Sequence, residues 1–226
     1  MATATLTSPE TASSSEKKTA RYYTPEEYLE LEEKSEWKNE YRDGRITPLG
    51  NPNGDPSVMA GASRNHSLVT TSVIASLYTQ LRERDCRVYS SDTRVYAPNG
   101  GIYTYPDISV VCGEEEFQGE MLMNPTLIVE VLSESTEAYD RGDKFRRYQT
   151  VESLMDYLLI SQNRPRIEHY SRQGDNRWLL TSADGLEASL AIPSLDITLN
   201  LAEIFARVEF PAPVETTPEA SEEEAV

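Results

Sequence analysis

The chain predicts a mixed α/β or α+β domain, a central sheet with helices laid against it, on three observations. Between 63 and 84, Leu68, Val69, Val73, Ile74, Leu77, Tyr78 and Leu81 recur at three- and four-residue steps, as a helix with one buried face requires. Leu127–Leu132 is an apolar run broken only by Glu130, the pattern of a central strand covered on both faces. Helix-type and strand-type segments also alternate along the chain, so sheet and helices must share a core.

The ordered body is expected over 21–210, between a Thr/Ser/Ala-rich leader at 1–20 and an acidic tail at 211–226, both disordered by composition. Thr24-Pro25-Glu26-Glu27 reads as a helix start, with a cap, a proline in the first turn and acids at the positive end of the dipole. Tyr28, Leu29 and Leu31 continue it as an apolar stripe toward Trp37. Residues 41–46 read as a strand or hairpin turning at Asp43-Gly44, and 51–56 as a loop. After the long helix come strands at 87–96, 105–112 and 126–133, a helix at 136–150, and strands at 156–161 and 166–171. Segments 178–182 and 188–192 are candidates to extend the sheet, and 201–208 closes the body as a short helix.

Composition narrows the function. Of 226 residues, 38% are apolar and 26% charged, enough for one packed core. Thirty-eight acids against 21 bases set the net charge at −17, and five acids with no base in 211–226 leave −12 on the rest. That balance argues against a broad basic surface for nucleic acid and against a membrane-surface binder. No stretch approaches the roughly 18 apolar residues of a membrane span, and the N-terminus lacks the apolar core of a secretory signal. Cys86 and Cys112 are too few for a disulfide scaffold and form no CxxC pair, so they read as small core or strand residues in a reducing cytoplasm.

Two acids stand out of place. Glu130 interrupts the apolar strand, where an unpaired carboxylate costs several kcal/mol. It is either a strand-end acid reaching solvent or an arginine, or a metal ligand or catalytic acid. Asp107 follows Pro106, which marks a strand start or edge, and it either ends a turn or works with Glu130. Two carboxylates on neighbouring strands can converge on one hard cation such as Mg²⁺. Asp140, Lys144 and Tyr148 share one face of the 136–150 helix, so Lys144 is either solvated or close enough to orient a nucleophile. Gly142 within that helix suggests close approach by another backbone. His66 reads as a capping or packing residue, with a phosphate contact as the other reading, and His169 as a surface residue. No phosphate loop or dinucleotide turn is present, and no Ser–His–acid arrangement is suggested.

Tyr105-Pro106-Asp107-Ile108-Ser109, then 124–136 with Leu127-Ile128-Val129-Glu130-Val131-Leu132, then Asp140-Arg141-Gly142-Asp143-Lys144 resemble the Uma2 family. Tyr41-Arg42-Asp43-Gly44, the Gly61 to His66 helix entry and Ser90-Ser91-Asp92 extend the resemblance over nearly the whole body. It implies a restriction-endonuclease-like fold of the PD-(D/E)xK superfamily, with the central mixed sheet flanked by helices. Pro106-Asp107 matches the first acid and Glu130 the second. Leu132 stands where the superfamily carries its lysine, and Lys144 is the matching candidate, displaced to the following helix. Glu40 resembles the additional acid that some members place near the metal, its other reading being a solvated helix-end residue.

The resemblance implies a Mg²⁺- or Mn²⁺-dependent endonuclease on DNA. Its metal would be held by Asp107 and Glu130, with the Val131 carbonyl as a further ligand, and it would act as a homodimer. At −12, DNA binding is expected to be weak and salt-sensitive, resting on local patches around Arg141, Lys144, Arg146 and Arg147 and around Arg82, Arg84 and Arg87. The alternative is a non-catalytic nuclease fold used for protein or nucleic-acid interaction.

Overall fold

In the computed structural model, residues 21–49 and 63–210 are described; the expected leader, the 51–56 loop and the tail lie outside them. Helix α1 (Pro25–Glu32) starts on a reciprocal cap: Glu27 N–H donates to Thr24 Oγ1 at 3.2 Å and Thr24 N–H to Glu27 Oε2 at 2.9 Å. Strands β1 (Asn39–Arg42) and β2 (Arg45–Pro48) form the expected hairpin. Asp43 and Gly44 both take positive φ (49° and 77°), as a tight primed turn demands, and a Cβ on Gly44 would meet Tyr22 Cδ1 at 2.9 Å. Helix α2 (Arg64–Leu81) begins where Ser63 Oγ accepts the His66 N–H at 3.0 Å, and it buries Val69, Val73, Leu77 and Leu81.

The segment expected as one strand at 87–96 is two, β3 (Cys86–Ser90) and β4 (Arg94–Ala97), in different sheets. Its apolar pattern runs through the Ser91-Asp92 turn, where Thr93 N–H bonds the Ser90 carbonyl at 3.1 Å. Strands β5 (Ile102–Thr104), β6 (Ile108–Cys112), β7 (Phe117–Gln118), β8 (Met121–Leu122) and β9 (Leu127–Leu132) follow. The expected helix at 136–150 is α3 (Glu137–Tyr139), a π-helical turn at Asp140–Lys144 and α4 (Phe145–Tyr148). Beyond it lie β10 (Asp156–Ser161), β11 (Arg166–Arg172), β12 (Trp178–Asp184), β13 (Ser189–Ile192), β14 (Ile197–Asn200) and α5 (Leu201–Ile204), the last shorter than expected.

The main sheet has the order β12-β11-β10-β9-β6-β3, parallel between β9 and β10 and antiparallel elsewhere. This is the mixed sheet the sequence predicts. One face packs on α2, α5 and β13-β14, which pair with each other rather than extending the sheet. The other face packs on α4 and a second sheet, β2-β1-β5-β4-β8-β7. Every residue of β9 is buried, as its doubly apolar run requires.

Cys86 and Cys112 are register partners across β3 and β6 and form a disulfide, correcting the expectation of two separate core residues. Two cysteines cannot build a scaffold, but strand pairing 26 residues apart brings these two together. Gly142 has nothing within 4 Å of a Cβ position, so the backbone approach expected there is absent; it occurs at Gly100, where a Cβ would meet the Arg147 carbonyl at 2.8 Å.

Candidate active site

The β6–β9 register ends with Ile108 opposite Val129, and Asp107, the residue before β6, reaches β9 by accepting the Val131 N–H. On β9 side chains alternate, so Glu130 shares with Ile128 and Leu132 the face toward the helical segment and the second sheet. Lys144 comes down on Glu130 from the π-helical turn. Its Nζ lies 2.8 Å from Glu130 Oε1, 3.3 Å from Glu40 Oε1 and 3.4 Å from Asp140 Oδ1. Glu130 and Lys144 are each 4% exposed. Glu40 reaches them because it alternates on β1 with Tyr41, which turns the other way into the Tyr28–Tyr103 cluster. The Tyr105 N–H donates to Glu40 Oε1 at 3.2 Å.

The expected helical face therefore exists: Asp140 and Lys144 meet, and Tyr148 is buried with its hydroxyl 2.5 Å from Thr104 Oγ1. Three carboxylates around one ammonium leave the cluster short of positive charge. Burial, reinforced by Asp140 and Asp107 and opposed by Lys144, holds the Glu130 pKa well above the carboxylate range. Burial alone would lower the Lys144 pKa, but Glu130, Glu40 and Asp140 overcome it and hold the ammonium firmly charged.

Asp107 stands beside this cluster with its own partners. Its Oδ2 accepts the Val131 N–H at 2.7 Å and lies 3.2 Å from His66 Nε2. Burial works to lower the His66 pKa, but the hydrogen bond and charge of Asp107 outweigh it and raise the pKa. The sequence offered His66 as a capping or packing side chain or a phosphate contact, not as a partner of Asp107; its position three residues after the Ser63 cap, on the first turn of α2, brings it to Asp107. Asp107, Glu130, Lys144, Glu40 and His66 line one cleft of about 690 Å³, which Trp37 also lines.

His169 is 3% exposed, not on the surface as expected, and its Nε2 lies 2.6 Å from Asp156 Oδ1. The β13-β14 hairpin covers it, and Ser194 in the hairpin turn donates to the other Asp156 oxygen. None of these three lines the cleft. The arginines of the expected basic patches are paired: Arg141 with Glu137 and Glu168, Arg146 with Asp143, Arg147 with Asp43 and Asp143. Arg82, Arg84 and Arg87 pair with Glu83, Asp196 and Asp85.

The profile of the Uma2 family, described as "Putative restriction endonuclease", matches residues 25–202. The chain belongs to the Uma2 family. Two relatives from Synechocystis sp. are described as uncharacterized proteins, sll1609 and slr1290. The first is 36% identical over 182 residues (79% of this chain, 97% of the relative) and the second 35% over 188 (83% and 93%). Among solved structures, a "putative nuclease belonging to DUF820" from Anabaena variabilis matches 80% of this chain and 96% of its own, with a TM-score of 0.60 and 20% identity. That is a likeness of fold. In this Uma2 chain Leu132, two residues after Glu130, is an apolar core residue, and the ammonium beside the acids comes from the helix.

The donor chemistry suits a hard divalent cation. Among the described residues no three His, Cys, Asp or Glu side chains stand in a ligating group. A cation held by Asp107, Glu130 and the Val131 carbonyl would depend on water to complete its shell, as is usual for Mg²⁺. Glu130 Oε1 is buried, with no hydrogen-bond donor beside it among the described residues other than the Lys144 ammonium 2.8 Å away. An anionic cluster with such an oxygen favours a further cation.

Proposed function

We propose that this Uma2 protein hydrolyses phosphodiester bonds of DNA with Mg²⁺ or Mn²⁺ held by Asp107 and Glu130. The reading rests above all on the convergence of two strand carboxylates and the Lys144 ammonium in one cleft. A bound divalent cation would supply a water of lowered pKa and would stabilise charge on the phosphate. The chain's own groups divide the remaining work. The Val131 N–H and His66 fix Asp107 by one oxygen, leaving Oδ1 to face a ligand. The Val131 carbonyl is a further candidate ligand. Lys144, held in place by Glu40 and Asp140, would carry positive charge to the phosphate as Glu130 turns to its ligand. Glu40, bonded to the Tyr105 N–H, would hold a second water or ion.

Asp107→Ala and Glu130→Ala should each abolish metal-dependent cleavage of DNA while leaving the melting temperature of the chelated protein within a few degrees of the parent. Cleavage retained in either variant overturns the assignment.

One observation favours a second reading, a non-catalytic nuclease fold. Lys144 already neutralises Glu130, and the basic side chains are tied to acids. Millimolar Mg²⁺ or Mn²⁺ decides between them, because an ion that binds only the folded state raises its melting temperature. A rise in the parent that disappears in Glu130→Gln supports the enzyme, and no rise supports the module. A homodimer with two sites facing two strands belongs to the first reading and is tested by sedimentation. A cytoplasmic setting would hold Cys86 and Cys112 as thiols; no helix of the described residues is long and apolar enough to cross a membrane.

A further inference from the structure

We propose that Trp37 is a stacking platform for an unpaired nucleobase, so that the cleft takes a single strand or frayed end in preference to intact duplex. The inference rests on the nuclease reading for the identity of the ligand and on the following geometry for its form.

Three aromatic rings line the cleft, Trp37, Tyr105 and Tyr139. Two are committed. Tyr139 has the Arg42 guanidinium 4.4 Å and the Lys144 ammonium 5.8 Å from its ring centre. Tyr105 has Lys38 at 5.7 Å and Arg94 at 6.0 Å, and its hydroxyl donates to Glu32 at 2.8 Å. Trp37 has no ring or cation partner among the described residues and is 47% exposed.

Its backbone, by contrast, is braced. Ser35 Oγ donates to the Trp37 carbonyl at 2.6 Å and accepts the Trp37 N–H at 3.1 Å. The Asn39 amide donates to the same carbonyl at 2.8 Å and is itself held by Glu32 at 2.8 Å. A lone exposed aromatic is ordinary on a protein surface. A half-exposed ring on a hydrogen-bonded turn, lining the same cleft as Asp107 and Glu130, is a surface prepared for a flat ligand.

Exposed base faces, not charge, separate the two kinds of nucleic acid at this rim. The two lysines that line the cleft are paired, Lys38 with Asp92 and Lys144 with its three carboxylates, and Arg42, beside Tyr139, pairs with Asp143. A duplex presents phosphates outward and hides its base faces, so this rim offers it little. An unpaired base offers a π-face to any aromatic ring, whatever its identity.

The test is fluorescence anisotropy on the full chain at physiological ionic strength, with chelator and again with Ca²⁺. The probes are labelled oligothymidylate, oligouridylate and a blunt duplex. The parent should bind the single strands more tightly than the duplex, with the two oligonucleotides showing which sugar the cleft accepts. Trp37→Ala should weaken single-strand binding on the order of tenfold or more, and Trp37→Phe should retain most of it. Both variants should keep the parental melting temperature.

Single-strand binding unchanged in Trp37→Ala, a parent that prefers duplex, or a parent that binds none of the probes overturns the inference. The nuclease reading stands or falls separately. Cleavage of DNA without single-strand preference removes the platform alone. Trp37-dependent binding without cleavage under any divalent metal keeps the platform and removes the nuclease.

Discussion

Lys144 holds three buried acids at once, so its removal has a defined penalty. Lys144→Met should destabilise the chelated protein by about 3–5 kcal/mol, because it strands carboxylates that nothing else neutralises. Urea unfolding should show a smaller loss at pH 5 than at pH 8, since protonation is the other way to neutralise the acids. Glu130 behaves in the opposite sense. Its folded pKa is raised, so above its ordinary 4.5 the folded state binds more protons than the unfolded chain, and stability falls as pH rises toward the folded value. Glu130→Gln should therefore raise the melting temperature at pH 8 in chelator, flatten this decline and erase any gain from Mg²⁺. A variant less stable than the parent at pH 8 would show that the acid is fully satisfied by the lysine. Glu130 was visible in the sequence because one charge interrupted six otherwise apolar residues. Glu40 was not, except through the family resemblance, because β1 is only four residues long and its alternation is carried mostly by polar side chains.

At the scale of elements, the strongest periodic signals survived: α2 from its stripe, β9 from its continuous apolar run, the hairpin turn from Asp43-Gly44. The second sheet was lost because β5, β7 and β8 are two or three residues long, too short for any period to register. His169 was misplaced because β11 alternates as a half-exposed strand does, and only tertiary structure lays the β13-β14 hairpin over it. The disulfide was illegible for a similar reason, since strand register is not written in cysteine spacing. It joins β3 at the edge of the main sheet to β6, the strand that leads out of Asp107. Reducing it should lower stability by about 3 kcal/mol, as expected for a closed loop of this length, read as a shift in the urea midpoint with and without dithiothreitol. At the other junction, Gly100→Ala should destabilise by about 1–3 kcal/mol, because the added methyl meets backbone at 2.8 Å where the β4–β5 turn seats on α4.

For the whole molecule these charges sum to a skewed pH profile. Asp143 and Glu168 each resist burial through two arginines that lower their pKa values, so their contribution is present above the ordinary 3.8 and 4.5 and is lost as pH falls below them. His66 and Glu130 are raised, so theirs is lost as pH rises, from about 6.5 for the first and 4.5 for the second. In chelator the melting temperature should peak on the acid side of neutral. Divalent metal should move that peak toward alkaline pH, because an ion on Glu130 takes the place of its proton. A peak that stays put with and without metal would mean that no ion reaches the cluster.

The π-helical turn at Asp140–Lys144 has a consequence for reading other chains. A π turn carries one residue more than an α turn, and here that residue falls between the β9 strand and the lysine that answers it. A relative with an uninterrupted α-helix at this point would have to write its lysine one place earlier. Comparing the two without opening a gap there would set an aspartate against the lysine and conclude, wrongly, that the group had been lost.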